Sequence, residues 1–312
     1  MEHIEEAGVH SGDSAACIPP YTLGKKVIKT IKEQSKKIAK ALHVRGLINL
    51  QFAIKGEDVY VLEVNPRASR TVPFVSKAIG YPLAKIAAKV GVGNKLRQLL
   101  PEVFERIKKG DVHIASDFMS ADKKLYAVKE VVFPWKRFPE VDPILGPEMR
   151  STGEVMAIDE EFGMAYYKAQ LAAGQRLPTR GKVFISVADR DKPKIVDLAK
   201  GFKALGFELC ATTGTYRFLR EHGIEATHVL KVSEGRPHVV DMITNGDINL
   251  VINTPTGKKE RSDAYYIRRA VLQQDVPYTT TVRGGYAMLS AIECFLSHGG
   301  KLRVYALQDI HK

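Results

Sequence analysis

The stretch LINLQFAIKGEDVYVLEVNPRASR (47–70) places two apolar, β-branched arms around a Gly-Glu-Asp turn, the pattern of a β-hairpin. Its second arm would pass for an ordinary buried strand but for Glu63, Asn65 and Arg67 at every second position. Residues i, i+2 and i+4 of a strand project from one face, so a carboxylate, an amide oxygen and a guanidinium are aimed together. A polar triplet of this kind is costly to bury unless something occupies the point it is aimed at. If the loop is Gly56, Glu57 and Asp58, Lys55 pairs with Val59 and Gln51 falls opposite Glu63. A two-residue loop in a regular ladder puts Gln51 and Glu63 on opposite faces, because one step of register inverts every side chain. The polar set therefore predicts a three-residue turn. Gln51, Glu63 and Asn65 then supply three hard oxygen ligands, suited to Mg²⁺ or Mn²⁺ with positions left open for phosphate oxygens. Arg67 can grip a phosphoryl group or an acyl phosphate with its planar fork. The same spacing also fits a structural Glu–Arg pair on an exposed strand face.

Upstream, KKVIKTIKEQSKKIAKALH (25–43) reads as an amphipathic helix with Val27, Ile28, Ile31, Ile38, Ala39 and Leu42 on its apolar face. The segment EEAGVHSGDSA (5–15) is a small-residue loop in which Gly8 and Gly12 let the backbone approach a nucleotide, with His10 and Ser11 as donors. It reads equally as a plain turn before a helix. Downstream, VPFVSKAIGYPLAKIAAKVGVG (72–93) predicts two short helices around a turn at Gly80, with Pro82 where a helix starts. A charged helical stretch (96–110), a strand YAVKEVVFPW (126–135) and a Pro/Gly-rich loop (138–155) follow. KAQLAAGQRLPTRG (168–181) loses apolar patterning, which divides the chain into residues 1–168, a linker 169–181 and residues 182–312.

From Lys182 the pattern becomes five alternating strand and helix units, KVFISVA through GYAMLSAIECFL, which predicts a parallel sheet with helices on both faces. Three loops at one edge of that sheet carry donors. CATTGTYRF sets Thr212, Thr213, Gly214 and Thr215 at a helix start, an anion-binding position. VINTPTG sets Asn253 and Thr254 at a strand's carboxyl end, where open parallel sheets bind ligands, and ADRDK brings Lys192 to the same edge. Each loop alone reads as a turn; together they predict a phosphate pocket.

Composition bounds the function. The 312 residues suffice for about two domains. No apolar stretch is long enough to span a bilayer and no signal-peptide pattern opens the chain, so the expected compartment is the cytoplasm. Cys17, Cys210 and Cys294 lie far apart without CxxC spacing, and read as buried thiols. A net charge of +12 favours anionic partners. No basic stretch interleaved with aromatics accompanies it, which argues against a nucleic-acid module.

MEHIEEAGVHSGDSA, QFAIKGEDVYVLEVNPRASRTVPFVSKAIG, KEVVFP and VDPILGPEMRSTGEVM closely resemble the carboxyl-terminal part of the large subunit of carbamoyl-phosphate synthase. GKVFISV through RGGYAMLSA resembles its methylglyoxal-synthase-like allosteric domain, so the likeness covers nearly the whole chain. The resemblance implies the carboxyl-terminal lobe of an ATP-grasp module, mixed α+β with antiparallel strands, followed by a doubly wound parallel-sheet domain. It implies phosphorylation of carbamate by ATP to carbamoyl phosphate, in pyrimidine and arginine biosynthesis, within a glutamine-hydrolysing ligase. On that pattern Gln51, Glu63 and Asn65 hold two divalent ions, Arg67 lies by the transferred phosphoryl group, and Gly8, Val9, His10 and Ser11 contact the nucleotide. A potassium-type ion is implied near His3 and Glu63. The phosphate of a UMP- or IMP-type effector is implied against Ser186, Lys192, Thr212 and Thr215, with Lys231, Asn253 and Thr254 nearby. An ornithine position is implied at Glu5, Asp13, Glu130, Tyr278 and Thr280.

The chain departs from the family pattern at Pro255, which stands for a second threonine, at Pro277, which stands for a histidine, and in a longer stretch from about 95 to 124. The lobe that brings the glycine-rich lid is expected before Met1, so the isolated chain is expected to be inactive. The implied partners are the rest of the large subunit and the glutaminase small subunit, in an oligomeric enzyme. A stand-alone nucleotide-binding regulatory chain is one rival reading, and a methylglyoxal-synthase-like lyase is the other. The lyase needs a carboxylate base where SEGRPHVV carries Arg236.

Overall fold

The computed structural model describes residues 1–108, 125–138, 141–254 and 258–310. Pro255 and most of the longer stretch (109–124) lie outside the described residues. The chain starts with two short strands, β1 (Glu2–His3) and β2 (Ala16–Ile18), and continues with helix α1 (Lys25–Ala41). Leu42, expected on the apolar face of α1, caps the helix and is 52% exposed. The hairpin follows as β3 (Asn49–Lys55) and β4 (Asp58–Asn65). Then come α2 (Val72–Ile79) and α3 (Leu83–Gly91), separated at Gly80, whose φ of 73° is the left-handed value that glycine adopts without strain. α4 (Leu96–Leu99) and α5 (Pro101–Lys108) follow, with Pro101 opening α5.

The hairpin corrects the expected turn. Lys55 pairs with Asp58, so only Gly56 and Glu57 form the loop, with Gly56 at φ 63° in the first position as in a glycine-first type II′ turn. Gln51 nonetheless faces Glu63, because the register shifts at Gln51/Phe52 and Leu62 is left as the extra residue of a β-bulge. The odd number of residues between Gln51 and Glu63 demands one residue without a partner. The chain puts it in the strand and not in the turn.

β5 (Tyr126–Val132) and β6 (Gly153–Asp159) complete an antiparallel sheet of order β1-β2-β5-β6. Helix α6 (Phe162–Ala172) lies across it, with buried residues on every side: Gly163, Met164, Ala165, Tyr166, Ala169 and Gln170. Such a helix must be covered over most of its surface. Beyond it run β7 (Lys182–Val187), α7 (Val196–Ala204), β8 (Glu208–Ala211), α8 (Thr213–Glu221), β9 (Thr227–His228) and α9 (Val239–Thr244). They continue as β10 (Leu250–Thr254), α10 (Lys258–Gln273), β11 (Tyr278–Thr279), α11 (Val282–Ser297) and α12 (Leu307–Ile310). All five expected strand and helix units are present, although the third and fifth strands shrink to two residues each.

The five strands form a parallel sheet of order β11-β10-β7-β8-β9. The chain winds outward from β7 through β8 and β9, then returns to β10 on its other side. The gap between the carboxyl ends of β7 and β10 is therefore a topological switch point, where such sheets bind ligands. No helix among the described residues is long and apolar enough to cross a membrane.

α6 and α11 join the two sheets. One buried cluster contains Val128 of β5, Ala165 and Tyr166 of α6, Ile185 of β7, and Ala291 and Ile292 of α11. Tyr167 stacks on Phe295, with ring centroids 4.1 Å apart. The amino end is tied in by Glu2, whose buried carboxylate accepts the N–H groups of Tyr21 and Thr22 and pairs with Arg283 of α11. At Gly163 the helices are so close that an added Cβ would lie 2.4 Å from the Ser290 carbonyl oxygen and 2.9 Å from Cys294 Cβ. Gly163→Ala is expected to lower stability by about 1–3 kcal/mol, the usual cost of overpacking. Gly206→Ala, where no atom lies within 4 Å but φ is +85°, serves as a strain-only comparison in urea unfolding.

Candidate functional site

The bulge sets the hairpin's chemistry. Gln51 and Glu63 are cross-strand partners, and Asn65, two residues on, faces the same way. Asn65 Nδ2 donates to Glu63 Oε1, while Arg67 Nη1 donates to the Ala68 carbonyl at 3.0 Å. Glu63 is thus engaged with Asn65, and the alternative of a structural Glu63–Arg67 pair is not the arrangement found. Glu63 and Arg67 are exposed, Gln51 and Asn65 half-buried. Three side-chain oxygens on one solvent-facing surface fit a hard cation that keeps waters or phosphate oxygens as further ligands.

The 5–15 loop borders the segment that leaves the hairpin. Gly8, at φ 101°, makes a turn that favours glycine, and Val9 N–H donates weakly to the Glu6 carbonyl. His10 Nδ1 accepts from Gly12 N–H at 3.0 Å, closing a short turn over Ser11–Asp13. Gly12 shares a cavity with Arg70, Pro73, Ser151 and Glu154, so the loop and the segment leaving the hairpin border one space. A Cβ on Gly12 would meet Met149 Sδ at 2.9 Å and His10 Nδ1 at 3.0 Å, so those side chains would have to shift to admit it.

His3 lies on β1 of the four-stranded sheet and Glu63 on the separate hairpin. Burial, then Lys129, lowers the His3 pKa to about 4, so its imidazole is neutral at neutral pH.

Three of the five ornithine positions do converge. Glu5, Asp13 and Glu130 all lie within electrostatic reach of Lys129, whose side chain is fully buried. Lys129 Nζ donates to the Ser11 carbonyl at 3.2 Å and stands 3.8 Å from Glu154. Glu130 accepts from Val131 N–H at 2.9 Å and from Gln170 Nε2 at 2.6 Å. Glu5 Oε2 is buried without a partner. Burial, reinforced by Glu130, pushes Glu5 up to about 8, and burial pushes Glu130 up to about 7. Asp13 is already committed to the N–H groups of Arg150 and Ser151, at 2.7 and 2.9 Å. Tyr278, its hydroxyl pKa raised by burial, stands instead by Arg268 and Asp142. Those two form a forked ion pair with both N···O distances at 2.8 Å. Thr280 is half-buried beside it in sequence. Lys129 escaped the sequence reading because VKEVV shows no alternation: both faces of β5 are covered.

The second cavity, about 110 Å³, opens at the switch point between β7 and β10. It is lined by Ser186, Lys192, Thr212, Gly214, Thr215, Lys231, Asn253 and Thr254, eight of the nine residues expected there. The ninth, Thr213, turns away to His228 Nε2 at 2.9 Å. The hydroxyls are ordered by the sheet: Ser186 Oγ meets Thr212 Oγ1 at 2.8 Å, and Thr215 and Thr254 accept the N–H groups of Val187 and Ala188, each at 3.1 Å. Thr212 caps α8 without a side-chain cap bond, so the first N–H groups of that helix are open to an anion. Asn253 Oδ1 is buried without a partner. Lys192 Nζ lies 2.6 Å from Asp189, and a Cβ on Gly214 would stand 3.2 Å from that nitrogen. Asp189 and Asp263 also line the cavity and were not anticipated. Asp189 was legible as a neighbour of Lys192 in ADRDK; Asp263 is held by Ser233 from a distant loop. Arg236, in the lyase's carboxylate position, leans toward Asp241 at 3.8 Å.

Residues 1–99 match the family described as carbamoyl-phosphate synthase L chain, ATP binding domain, and residues 194–280 match the MGS-like domain. The chain is 69% identical to the C-terminal section of the carbamoyl phosphate synthase large chain of Aquifex aeolicus, over all of itself and 58% of that protein. It is 54% identical to the large chain of Archaeoglobus fulgidus over all of itself and 27% of that protein. For the large chain of Methanosarcina barkeri the identity is 50%, with 74% of that protein covered.

The Glu5–Glu130 pair makes stability depend on pH. Both carboxyls hold protons in the folded chain that an unfolded chain releases above about pH 4.5. Their contribution is complete below that pH and is lost as pH rises through about 7 and 8. The urea midpoint is expected to fall between about pH 5 and 8.5 in the wild type, with a flatter profile in Glu5→Gln, where the amide mimics the protonated acid.

Proposed function

The chain belongs to the carbamoyl-phosphate synthase large-chain family, and from that premise we propose that its hairpin supplies the metal-binding face of the site that phosphorylates carbamate with ATP. The observation that carries this reading is the bulge at Leu62, which keeps Gln51 opposite Glu63 although the turn is one residue shorter than a regular ladder requires. Glu63 and Asn65, with Gln51 across the ladder, hold Mg²⁺ or Mn²⁺. Arg67, exposed and bound only to a neighbouring carbonyl among the contacts described, is free to swing toward a phosphoryl group. The loop Gly8–Ser11 and the cavity beside Gly12 and Arg70 border the nucleotide. When bound, the metal neutralises charge on the phosphate oxygens. The protein's part is to place oxygen ligands and a guanidinium around the transferred group.

The hairpin face is open to solvent, and phosphoryl transfer to carbamate competes with water. Activity is therefore proposed for the assembled enzyme, with the remaining large-chain segments and the glutaminase subunit, in the cytoplasm. The cavity at the β7/β10 switch point is proposed to take the phosphate of a mononucleotide effector of the UMP or IMP type. Lys192 and the amino end of α8 meet the anion, and the Lys192–Asp189 pair opens to admit it. A diamino acid such as ornithine is proposed at the acidic cluster, where Glu5 and Glu130 would release their protons to solvent and pair as carboxylates with the bound ammonium.

Glu63→Ala in the assembled enzyme is expected to lower ATP-dependent carbamoyl phosphate formation by at least about 100-fold, since loss of a metal ligand costs several kcal/mol in the transition state. Activity within a few-fold of wild type removes the hairpin from the site. Lys192→Ala is expected to weaken mononucleotide binding by about 10–100-fold, the worth of a charged hydrogen bond. Calorimetric titration of UMP and IMP reads this directly, and equal affinity in the variant would place the effector elsewhere.

A further inference from the structure

The two helices that join the sheets, α6 and α11, meet at a cluster that neither proposed site uses. Cys294 lies on α11, and His298 caps that helix four residues later, one turn away on the same face. Glu161 is the N-cap of α6, yet its side chain makes no capping bond to that helix. Its carboxylate instead reaches across to α11. Cys294 Sγ donates to Glu161 Oε2 at 2.9 Å, and Glu161 Oε1 stands 3.4 Å from His298 Nε2. One ligand atom from each of the three residues lies within 4.8 Å of the other two.

The histidine is oriented for ligation. His298 Nδ1 lies 2.9 Å from the Cys294 carbonyl oxygen, which can only accept, so the proton sits on Nδ1 and the Nε2 lone pair faces Glu161. A carbonyl bond that fixes the tautomer in this way is the usual support of a metal-bound imidazole. The closeness of the elements is imposed by Gly163, where no side chain fits between α6 and α11. A cavity of about 560 Å³ opens beside Glu161 and Cys294, bordered also by Tyr126, Glu293 and Ser297.

We propose that Glu161, Cys294 and His298 form a site for a single zinc-class divalent cation, with water completing the coordination, which ties α6 to α11. Ligand lengths of about 2.0–2.3 Å around a tetrahedral ion require N···O and S···O separations of about 3.4 and 3.6 Å. The first is already present at 3.4 Å. Cys294 Sγ lies 2.9 Å from the other carboxylate oxygen, Oε2, and the second separation is reached when the thiol proton leaves and the carboxylate turns one oxygen toward the ion. Binding releases the Cys294 thiol proton to solvent, and the resulting thiolate and carboxylate neutralise a dication. Thiolate and imidazole select zinc over the hard magnesium-type ions that suit the all-oxygen hairpin, so the two sites take different metals.

Cobalt(II), added to the metal-free 312-residue chain, is the probe. The expected result is one equivalent bound with thiolate-to-cobalt charge-transfer absorption in the near ultraviolet and strong tetrahedral visible bands, both removed by zinc. Cys294→Ser is expected to abolish the charge-transfer band, and His298→Gln to weaken binding more than about 10-fold. Because both substitutions touch the helix packing, Glu161→Gln provides a variant at a more exposed residue; it is expected to keep the wild-type circular dichroism while binding cobalt more than about 10-fold more weakly. A purely octahedral, oxygen-type cobalt spectrum, a charge-transfer band that survives Cys294→Ser, or unchanged affinity in folded Glu161→Gln would each overturn the proposal.

Discussion

The contact at Gly163 is the constraint on which the rest of the molecule hangs. It lets α6 press against α11 at backbone distance while its other side covers the antiparallel sheet. A helix buried over most of its surface has little solvent face to spend on charge, so its polar groups find partners inside. Gln170 does so by donating to Glu130, and through that bond α6 reaches the acidic cluster around Lys129. Glu161, at the other end of the same helix, reaches Cys294. The parallel sheet with its switch-point cavity is thus packed, through α6 and α11, against the sheet that carries the acidic pair.

Two electrostatic designs stand side by side. The switch-point cavity offers Lys192, open helix N–H groups and ordered hydroxyls, a field built for an anion. The cluster of Glu5, Glu130 and Asp13 is its opposite: carboxyls crowded around one buried ammonium, with burial holding two of them toward the protonated state. A cation placed there would be compensated by charge the pair currently suppresses. The hairpin differs from both because its oxygens face solvent and need no internal partner beyond the bond between Asn65 and Glu63.

The parallel-sheet half was legible because each strand is a short continuous apolar run bounded by turn residues, and the donors fall at strand ends. That logic placed Lys192, Thr212, Gly214, Thr215, Asn253 and Thr254 together, while Ser186 and Lys231 came from the family resemblance. In the hairpin, residue parity was legible and its structural solution was not. An odd count requires one unpaired residue, but the count does not say whether turn or strand absorbs it. Gly56 favours a tight glycine-first turn, and Leu62 can bulge at low cost because it is 49% exposed. α6 was invisible for a different reason: FGMAYYKAQLA has apolar residues on all sides, so no stripe of period 3.6 marks it. Lys129 was hidden by a strand covered on both faces, and β1 and β2 were too short to show a period.

What unites these elements is the claim that a bulged hairpin presents Gln51, Glu63 and Asn65 as one metal-binding face. The most direct measurement is anomalous X-ray scattering from crystals of the chain soaked with manganese and ATP. The account predicts a manganese peak about 2.1 Å from oxygens of Glu63 and Asn65, with nucleotide phosphate completing its shell. Manganese bound with its phosphate elsewhere, and bare solvent over Glu63 at saturating metal, would contradict it.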